Sequence, residues 1–155
     1  VTQGKLVMGF SCEASGSDEE TYPLQVAVDI FGGGTYSRLF SSVREKQSLC
    51  YYCSARPFRY KGLVLVESGI ENDNAKKAHD AILWELNDLK QGNFDDSVIE
   101  ASKKSLKEAL NSMYDKITSL DYWYGMRMVY DNVLSPKEYL ERVERVTRED
   151  ILKAL

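Results

Sequence analysis

The sequence has no long hydrophobic run, no excess of positive charge and only one histidine. No apolar stretch approaches the roughly 18 residues that a membrane-spanning helix needs, and no basic segment with an apolar core opens the chain. The formal net charge is -4 and the pI is near 5.1, so no basic field attracts a polyanion. We therefore expect neither a membrane nor a nucleic acid as a partner.

Histidine and cysteine are too scarce for several common kinds of site. His79 has Asp80 beside it but no second ligand at four-residue spacing, so neither a complete zinc site nor a serine or cysteine triad is available. Cys12, Cys50 and Cys53 are an odd number without a disulfide-dense pattern, which favours a reduced, cytoplasmic setting. Strand alternation places Cys50 and Cys53 on opposite faces, which argues against a redox pair.

The composition is that of a globular domain. The chain has 155 residues, of which 43% are apolar and 28% are charged, which suits one domain with its own core and not two. We expect residues 1–155 to form that single domain. Because the chain starts at Val1 in the approach to a strand and stops at Leu155 inside a helix, we expect it to be a piece of a longer polypeptide.

Hydrophobic periodicity predicts strands in the first half of the chain and helices after them. Strands are predicted at 6–11, 49–58 and 63–70, and the short connection at Lys61 and Gly62 makes the last two antiparallel. A polar loop is predicted at 15–20. Helices are predicted at 24–31, from 35 or 37 to 46, 74–91, from 95 or 96 onward, around 119–130, from 136 and from 147. This order predicts an α+β fold with two layers, a mainly antiparallel sheet covered on one face by helices.

Two clusters have both a structural and a functional interpretation. Gly32, Gly33 and Gly34 match no phosphate-binding pattern and are expected to end a helix through a left-handed cap. The aromatic residues of the second half could line a peptide-binding groove, although packing between helices is the expectation we favour. They are Tyr114, Tyr122, Trp123, Tyr124 and Tyr130.

Arg44 and Tyr51 form the most informative pair, at the corner between a predicted helix and the next strand. A cation and a phenol can bind a carbonyl oxygen or a developing oxyanion if both face one cleft. Local physics alone favours a structural interpretation. In that interpretation, the helix dipole stabilises Arg44 at the helix end and Tyr51 is one more strand tyrosine.

Several separated runs, in this order, resemble the C-terminal domain of the M16 metallopeptidase family. That family includes pitrilysin, insulin-degrading enzyme, the mitochondrial processing peptidase and many bacterial zinc proteases. The runs are residues 31–40, 43–46, 49–52, 61–62 and 68–70, and the helix pair after them also fits. The resemblance covers most of the chain and implies an M16 metallopeptidase-like (LuxS/MPP-like) fold of the bacterial M16B kind.

The resemblance also implies roles for Arg44 and Tyr51. In the family, the zinc motif His-x-x-Glu-His lies in the N-terminal domain, and the C-terminal domain supplies the pattern Arg-x-x-x-x-Leu-x-Tyr. Here that pattern is Arg44, Leu49 and Tyr51. By resemblance, Arg44 holds the backbone or a carbonyl of a peptide substrate, and Tyr51 donates to the oxyanion formed when the peptide is hydrolysed.

The chain departs from a working peptidase because it contains no His-x-x-Glu-His. We expect no metal ligand and no cofactor here, and no activity from this domain alone. Zinc is expected in an M16 N-terminal domain in cis or in a zinc-bearing subunit in trans, which would form a dimer with this one. The alternative is a catalytically silent homologue that acts as a non-catalytic partner subunit or a peptide-binding module.

Overall fold

Three antiparallel strands form the sheet of this protein. The structure is a computed structural model, which describes residues 3–13, 19–58, 61–128 and 133–155. The strands are β1 (Gln3–Ser11), β2 (Cys50–Phe58) and β3 (Leu63–Glu71), in the order β1-β3-β2. The three predicted strands and the antiparallel hairpin are confirmed.

Helices make up most of the remaining described chain. They are α1 (Thr21–Gly32), α2 (Leu39–Lys46), α3 (Ala75–Lys90), α4 (Asp96–Ser112), α5 (Ile117–Met128), α6 (Pro136–Arg145) and α7 (Arg148–Ala154). All the predicted helices are present, and a capping box between Thr147 and Asp150 starts α7. The loop predicted at 15–20 lies largely outside the described residues. Within the described ranges, no helix combines the length and apolarity needed to cross a bilayer.

The core lies between one face of the sheet and the helices, with α1 at its centre. Val26, Ala27 and Phe31 of α1 are fully buried, and they share one cluster with Val66 of β3 and Ile82 of α3. The other face of the sheet carries charged side chains and is open. On that face, Glu67 pairs with Lys5 at 3.0 Å and with Arg56 at 3.3 Å. The predicted two-layer α+β fold is therefore confirmed.

The glycine triplet ends α1, but not through the left-handed cap that the sequence suggested. Gly33 has φ -83°, an ordinary right-handed conformation. The glycines are needed for close packing instead. A Cβ on Gly32 would lie 2.5 Å from the backbone nitrogen of Ala55, and one on Gly33 would collide with the carboxylate of Asp29. Gly32 thus brings the end of α1 directly against β2.

The prediction that the aromatic group packs between helices is correct for Trp123 and wrong for two of its members. Trp123 is buried, and its indole nitrogen donates to the carbonyl of Leu134 at 2.8 Å. Tyr114, in the turn before α5, and Tyr122 of α5 are exposed, and α5 buries Trp123 while most of its remaining surface faces solvent. Tyr124 is half-buried, and Tyr130 lies outside the described residues.

Candidate functional site

Helix α2 carries Arg44 near its C-terminal end. Leu39 and Val43 are completely buried and anchor the helix to the core. The helix is a π-helix, a wide winding that is often found at functional sites. The Arg44 guanidinium lies 4.5 Å from the centre of the Phe40 ring, and its Nε is 3.8 Å from Glu45 Oε1. Because the Arg44 side chain is 38% exposed, these surface contacts hold it only weakly.

A tight corner then turns the chain from α2 into β2. Ser48 has φ 51°, the one positive φ among the described non-glycine residues. The backbone amides of Ser48 and Leu49 donate to the carbonyls of Arg44 and Val43, each at 3.1 Å. These bonds close the end of α2 and fix the direction in which β2 starts.

A β-bulge at the start of β2 gives Tyr51 its direction. Cys50 lies opposite Ile70 and Tyr52 lies opposite Gly69, so Tyr51 is an extra residue without a partner on β3. Bulges interrupt the strand alternation and re-aim side chains, often beside active sites. Both Tyr51 and Tyr52 are consequently exposed, by 46% and 45%.

The same bulge overturns the prediction that Cys50 and Cys53 face opposite sides of the sheet. They lie opposite Ile70 and Ser68, which are alternate residues of β3 and therefore share one face. All three cysteines of the chain are free thiols. Burial raises the pKa of Cys50, and it raises the pKa of Cys53 to about 12. Both thiols therefore stay protonated at neutral pH, which leaves no thiolate nucleophile here.

Arg44 and Tyr51 line the same open pocket, whose volume is about 370 Å³. Glu71 at the end of β3 and Asn74 just beyond it complete the wall. The Tyr51 hydroxyl donates to Glu71 Oε1 at 3.1 Å, and this hydrogen bond is the main reason that the pKa of Tyr51 is raised. Arg44 and Tyr51 therefore face one cleft, which is the geometric condition for both to bind a carbonyl oxygen. Their role toward a substrate stays a prediction.

The pocket is lined by side chains that can act as hydrogen-bond donors and acceptors. Arg44 can donate to a carbonyl oxygen, and the Asn74 amide can donate or accept. Sequence reasoning missed Glu71 and Asn74. The predicted hairpin contained a usable signal for them, because antiparallel pairing places the end of β3 beside the start of β2.

The described residues do not fit a zinc site. Within the described ranges, no group of three His, Cys, Asp or Glu side chains could hold a metal ion. His79 is exposed on α3, and its Nδ1 lies 3.0 Å from Asp80, whose carboxylate also binds Lys76 at 2.6 Å.

Comparison with protein families and comparison with curated proteins both give matches that are related to peptidases. The family model described as the peptidase M16 inactive domain matches residues 1–106. A Bacillus subtilis (strain 168) protein named "Probable inactive metalloprotease YmfF" is 34% identical over 154 residues, which cover 99% of this chain and 36% of that protein. A Rickettsia bellii protein named "Uncharacterized zinc protease" is 27% identical over 158 residues, which cover 97% of this chain and 37% of that protein. The chain thus spans just over a third of these relatives.

Solved structures share the fold. A conserved protein from Enterococcus faecalis V583 superposes with a TM-score of 0.88 at 29% identity, over 99% of this chain and 36% of that chain. An inactive peptidase domain from Bordetella parapertussis superposes with a TM-score of 0.82 at 14% identity, over 99% of this chain and 86% of that chain. The second match shows the fold alone, in a chain of comparable size.

Proposed function

Because the chain belongs to the peptidase M16 inactive domain family, we propose that it is the substrate-contacting C-terminal domain of a longer zinc-dependent endopeptidase. Arg44 and Tyr51 contact the peptide, and the zinc site belongs to another domain. The observation that carries this proposal is the placement of Arg44 and Tyr51, from different elements, in one open pocket.

Each of the two residues has a distinct task in this proposal. Arg44 donates to a carbonyl oxygen of the bound peptide through its planar guanidinium. Tyr51 donates to the oxyanion that develops on the scissile carbonyl, after its hydroxyl leaves Glu71. Removal of one such donor costs about 10² to 10³ in kcat in other hydrolases. The part of this chain in the reaction is thus to hold and orient the peptide.

The family to which the chain belongs supports the partners proposed here. We propose that residues 1–155 form one domain that closes on an M16 N-terminal domain in cis, or that pairs with a zinc-bearing subunit in trans as a dimer. A peptide is the substrate. The three free cysteines support a cytoplasmic setting.

A second candidate function is a catalytically silent homologue that holds peptides or completes a partner subunit. The observation that favours it is the 34% identical Bacillus subtilis relative, which is named an inactive metalloprotease. In this case the pocket at Arg44 binds a peptide by the same contacts, and no cleavage follows.

The test compares two site variants with two matched controls in the full-length polypeptide, together with its partner subunit where it has one. Arg44→Ala and Tyr51→Phe are expected to lower the turnover of casein-derived peptides about 10²-fold. Arg56 is the control for Arg44, since its guanidinium lies 4.7 Å from the centre of the Phe58 ring and pairs with Glu67. Tyr52→Phe is the control for Tyr51, because the two tyrosines are equally exposed.

The outcomes separate the two candidate functions. Wild-type turnover by both site variants would show that Arg44 and Tyr51 do not contact the scissile peptide. If the wild-type assembly lacks zinc and cleaves nothing, but binds the labelled peptides and loses that binding in both site variants, the silent homologue is correct. Arg56→Ala and Tyr52→Phe are expected to stay within about two-fold of wild type in either case.

A further inference from the structure

Arg38, the residue directly before α2, is held by a carboxylate from inside the core. Its Nη1 lies 3.2 Å from Glu85 Oε2 and 2.9 Å from Asp88 Oδ2, and its Nη2 donates to the backbone carbonyl of Asn93. Glu85 lies on α3 and is only 1% exposed. The start of α2 is therefore attached to α3 through a largely desolvated ion pair.

A buried ion pair of this kind needs a reason other than stability. Removing two charges from water costs about as much as their attraction returns, and the best-attested benefit is a fixed register between the elements that carry them. A guanidinium is planar and presents its donors in a rigid fork. Three acceptors on one fork leave Arg38 very little freedom to move relative to α3 and the turn after it.

Helix α2 connects Arg38 to the pocket. Arg38 does not line the pocket, whereas Arg44 does. Between them, Leu39 and Val43 are completely buried, so the helix shifts or holds as one body. We propose that Arg38, held by Glu85, is a positioning residue for Arg44 and sets the place of its guanidinium relative to Tyr51. This inference rests on the proposed function of the pocket.

Arg148 provides a matched comparison within the same chain. Its Nη1 lies 2.6 Å from Asp96, and its Nη2 donates to the carbonyls of Gly92 and Phe94 at 2.7 and 2.8 Å. Arg148 and Arg38 thus bind successive carbonyls of the same turn between α3 and α4. Arg148 lies on α7, however, so its loss loosens that turn without acting on α2 directly.

The experiment compares Arg38→Lys with Arg148→Lys in the full-length polypeptide assembled with its partner. Lysine keeps the charge and loses the fork. The first measurement is the NMR signal of the Arg44 Nε–H group, identified by its absence in Arg44→Lys and shifted by the nearby Phe40 ring. The second is kcat and KM on casein-derived peptides. Thermal unfolding of each variant checks that it is folded.

Arg38→Lys is expected to move the Arg44 signal toward that of a solvent-exposed arginine and to lower kcat about ten-fold or more. KM changes much less, because a misplacement of about 1 Å acts mainly on the reacting geometry. Arg148→Lys is expected to leave the Arg44 signal in place and kcat within about two-fold of wild type. Glu85→Gln keeps the shape and removes the buried charge, and it serves as the second variant if Arg38→Lys does not fold.

An unmoved Arg44 signal in folded Arg38→Lys and Glu85→Gln overturns the inference. Equal kcat losses in Arg38→Lys and Arg148→Lys also overturn it, because they would reflect general loosening of the shared turn. A moved Arg44 signal with unchanged turnover in every variant, Arg44→Ala included, supports the positioning and overturns the proposed contact of Arg44 with the peptide.

Discussion

The two ends of α2 are held in opposite ways. At the start of the helix, the guanidinium of Arg38 binds three oxygens, one of them from the buried Glu85. Toward its end, the guanidinium of Arg44 has only surface contacts and faces an open pocket. A cation whose donors are already satisfied fixes structure, and one whose donors face solvent can bind a ligand. The same residue type thus serves as an anchor at one end and a binding group at the other.

Two tyrosines repeat this contrast. The Tyr36 hydroxyl donates to the buried carboxylate of Asp29 on α1, and burial is the main reason that the pKa of each of these groups is raised. The Tyr51 hydroxyl donates to Glu71 at the surface. The half-buried Tyr36 is therefore held to α1 near the start of α2, and Tyr51 belongs to the pocket near its end.

The largest effect is expected at the anchored end. Glu85→Ala leaves Arg38 without its buried partner and should lower the free energy of unfolding by about 3 kcal/mol, near the lower end for broken buried ion pairs because Asp88 remains. Chemical denaturation measures this loss. Glu45→Ala, at the exposed end of the same helix, is the control and should change stability by less than about 0.5 kcal/mol. Similar losses in both variants would contradict the contrast between the two ends.

A second test adds one methyl group at the anchored end. A Cβ on Gly32 would lie 2.5 Å from the Ala55 nitrogen and 2.9 Å from Leu39 Cδ1, at the first residue of α2. Gly32→Ala should therefore destabilise the protein by about 1 to 3 kcal/mol. Gly125→Ala on α5 is the control, because its Cβ would meet nothing within 4 Å. It should stabilise the helix by about 0.5 to 1 kcal/mol. Thermal unfolding distinguishes the signs, and a neutral Gly32→Ala would refute the close packing.

The exposed end should tolerate loss of its cation without loss of fold. Arg44→Ala removes weak surface contacts, so the free energy of unfolding should fall by no more than about 0.5 kcal/mol. Chemical denaturation measures this change, and Arg38→Ala, which leaves Glu85 buried and unpaired, is measured in the same way for comparison. A loss at Arg44 as large as that at Arg38 would mean that Arg44 is a structural residue.

The smallest effect concerns the titration of Tyr51. The hydrogen bond to Glu71 raises the pKa of Tyr51, so Glu71→Gln should lower that pKa toward the ordinary value near 10. The contribution of this bond to stability is fully present below the unfolded-state pKa and disappears as the pH rises through the folded-state pKa. NMR with labelled tyrosine follows the ionisation, and Glu67→Gln is the control. An unchanged Tyr51 titration in Glu71→Gln would show that the bond does not form in solution.

The sequence predicted the strands and the helices, because each of these depends on local pattern, and a resemblance between short runs indicated Arg44 and Tyr51, which line one pocket and whose role stays a prediction. It did not predict the bulge at Tyr51. One extra residue in a strand changes the pairing register without altering the composition of the strand, so the predicted faces of Cys50 and Cys53 were wrong. The left-handed cap predicted for the glycine triplet was also wrong. The backbone that packs against Gly32 comes from β2, which is distant in sequence.

The ion pair of Arg38 could have been found in part. Glu85 falls on the apolar stripe of α3, between Ile82 and Leu89, where a carboxylate is buried only if it is paired. The pattern signals a buried charge but does not name its partner. Arg38 is distant in sequence, and only the packing of α2 on α3 brings the two side chains together.

The central claim is that Arg44 and Tyr51 hold one bound peptide in one pocket, and a double-mutant cycle tests it most directly. Turnover of casein-derived peptides is measured for wild type, Arg44→Ala, Tyr51→Phe and the double variant in the full assembly. We predict that the double variant loses little more turnover than the less active of the two single variants, because each residue depends on the other to hold the same peptide. Losses that multiply in the double variant would show that the two residues act separately and would contradict a shared site.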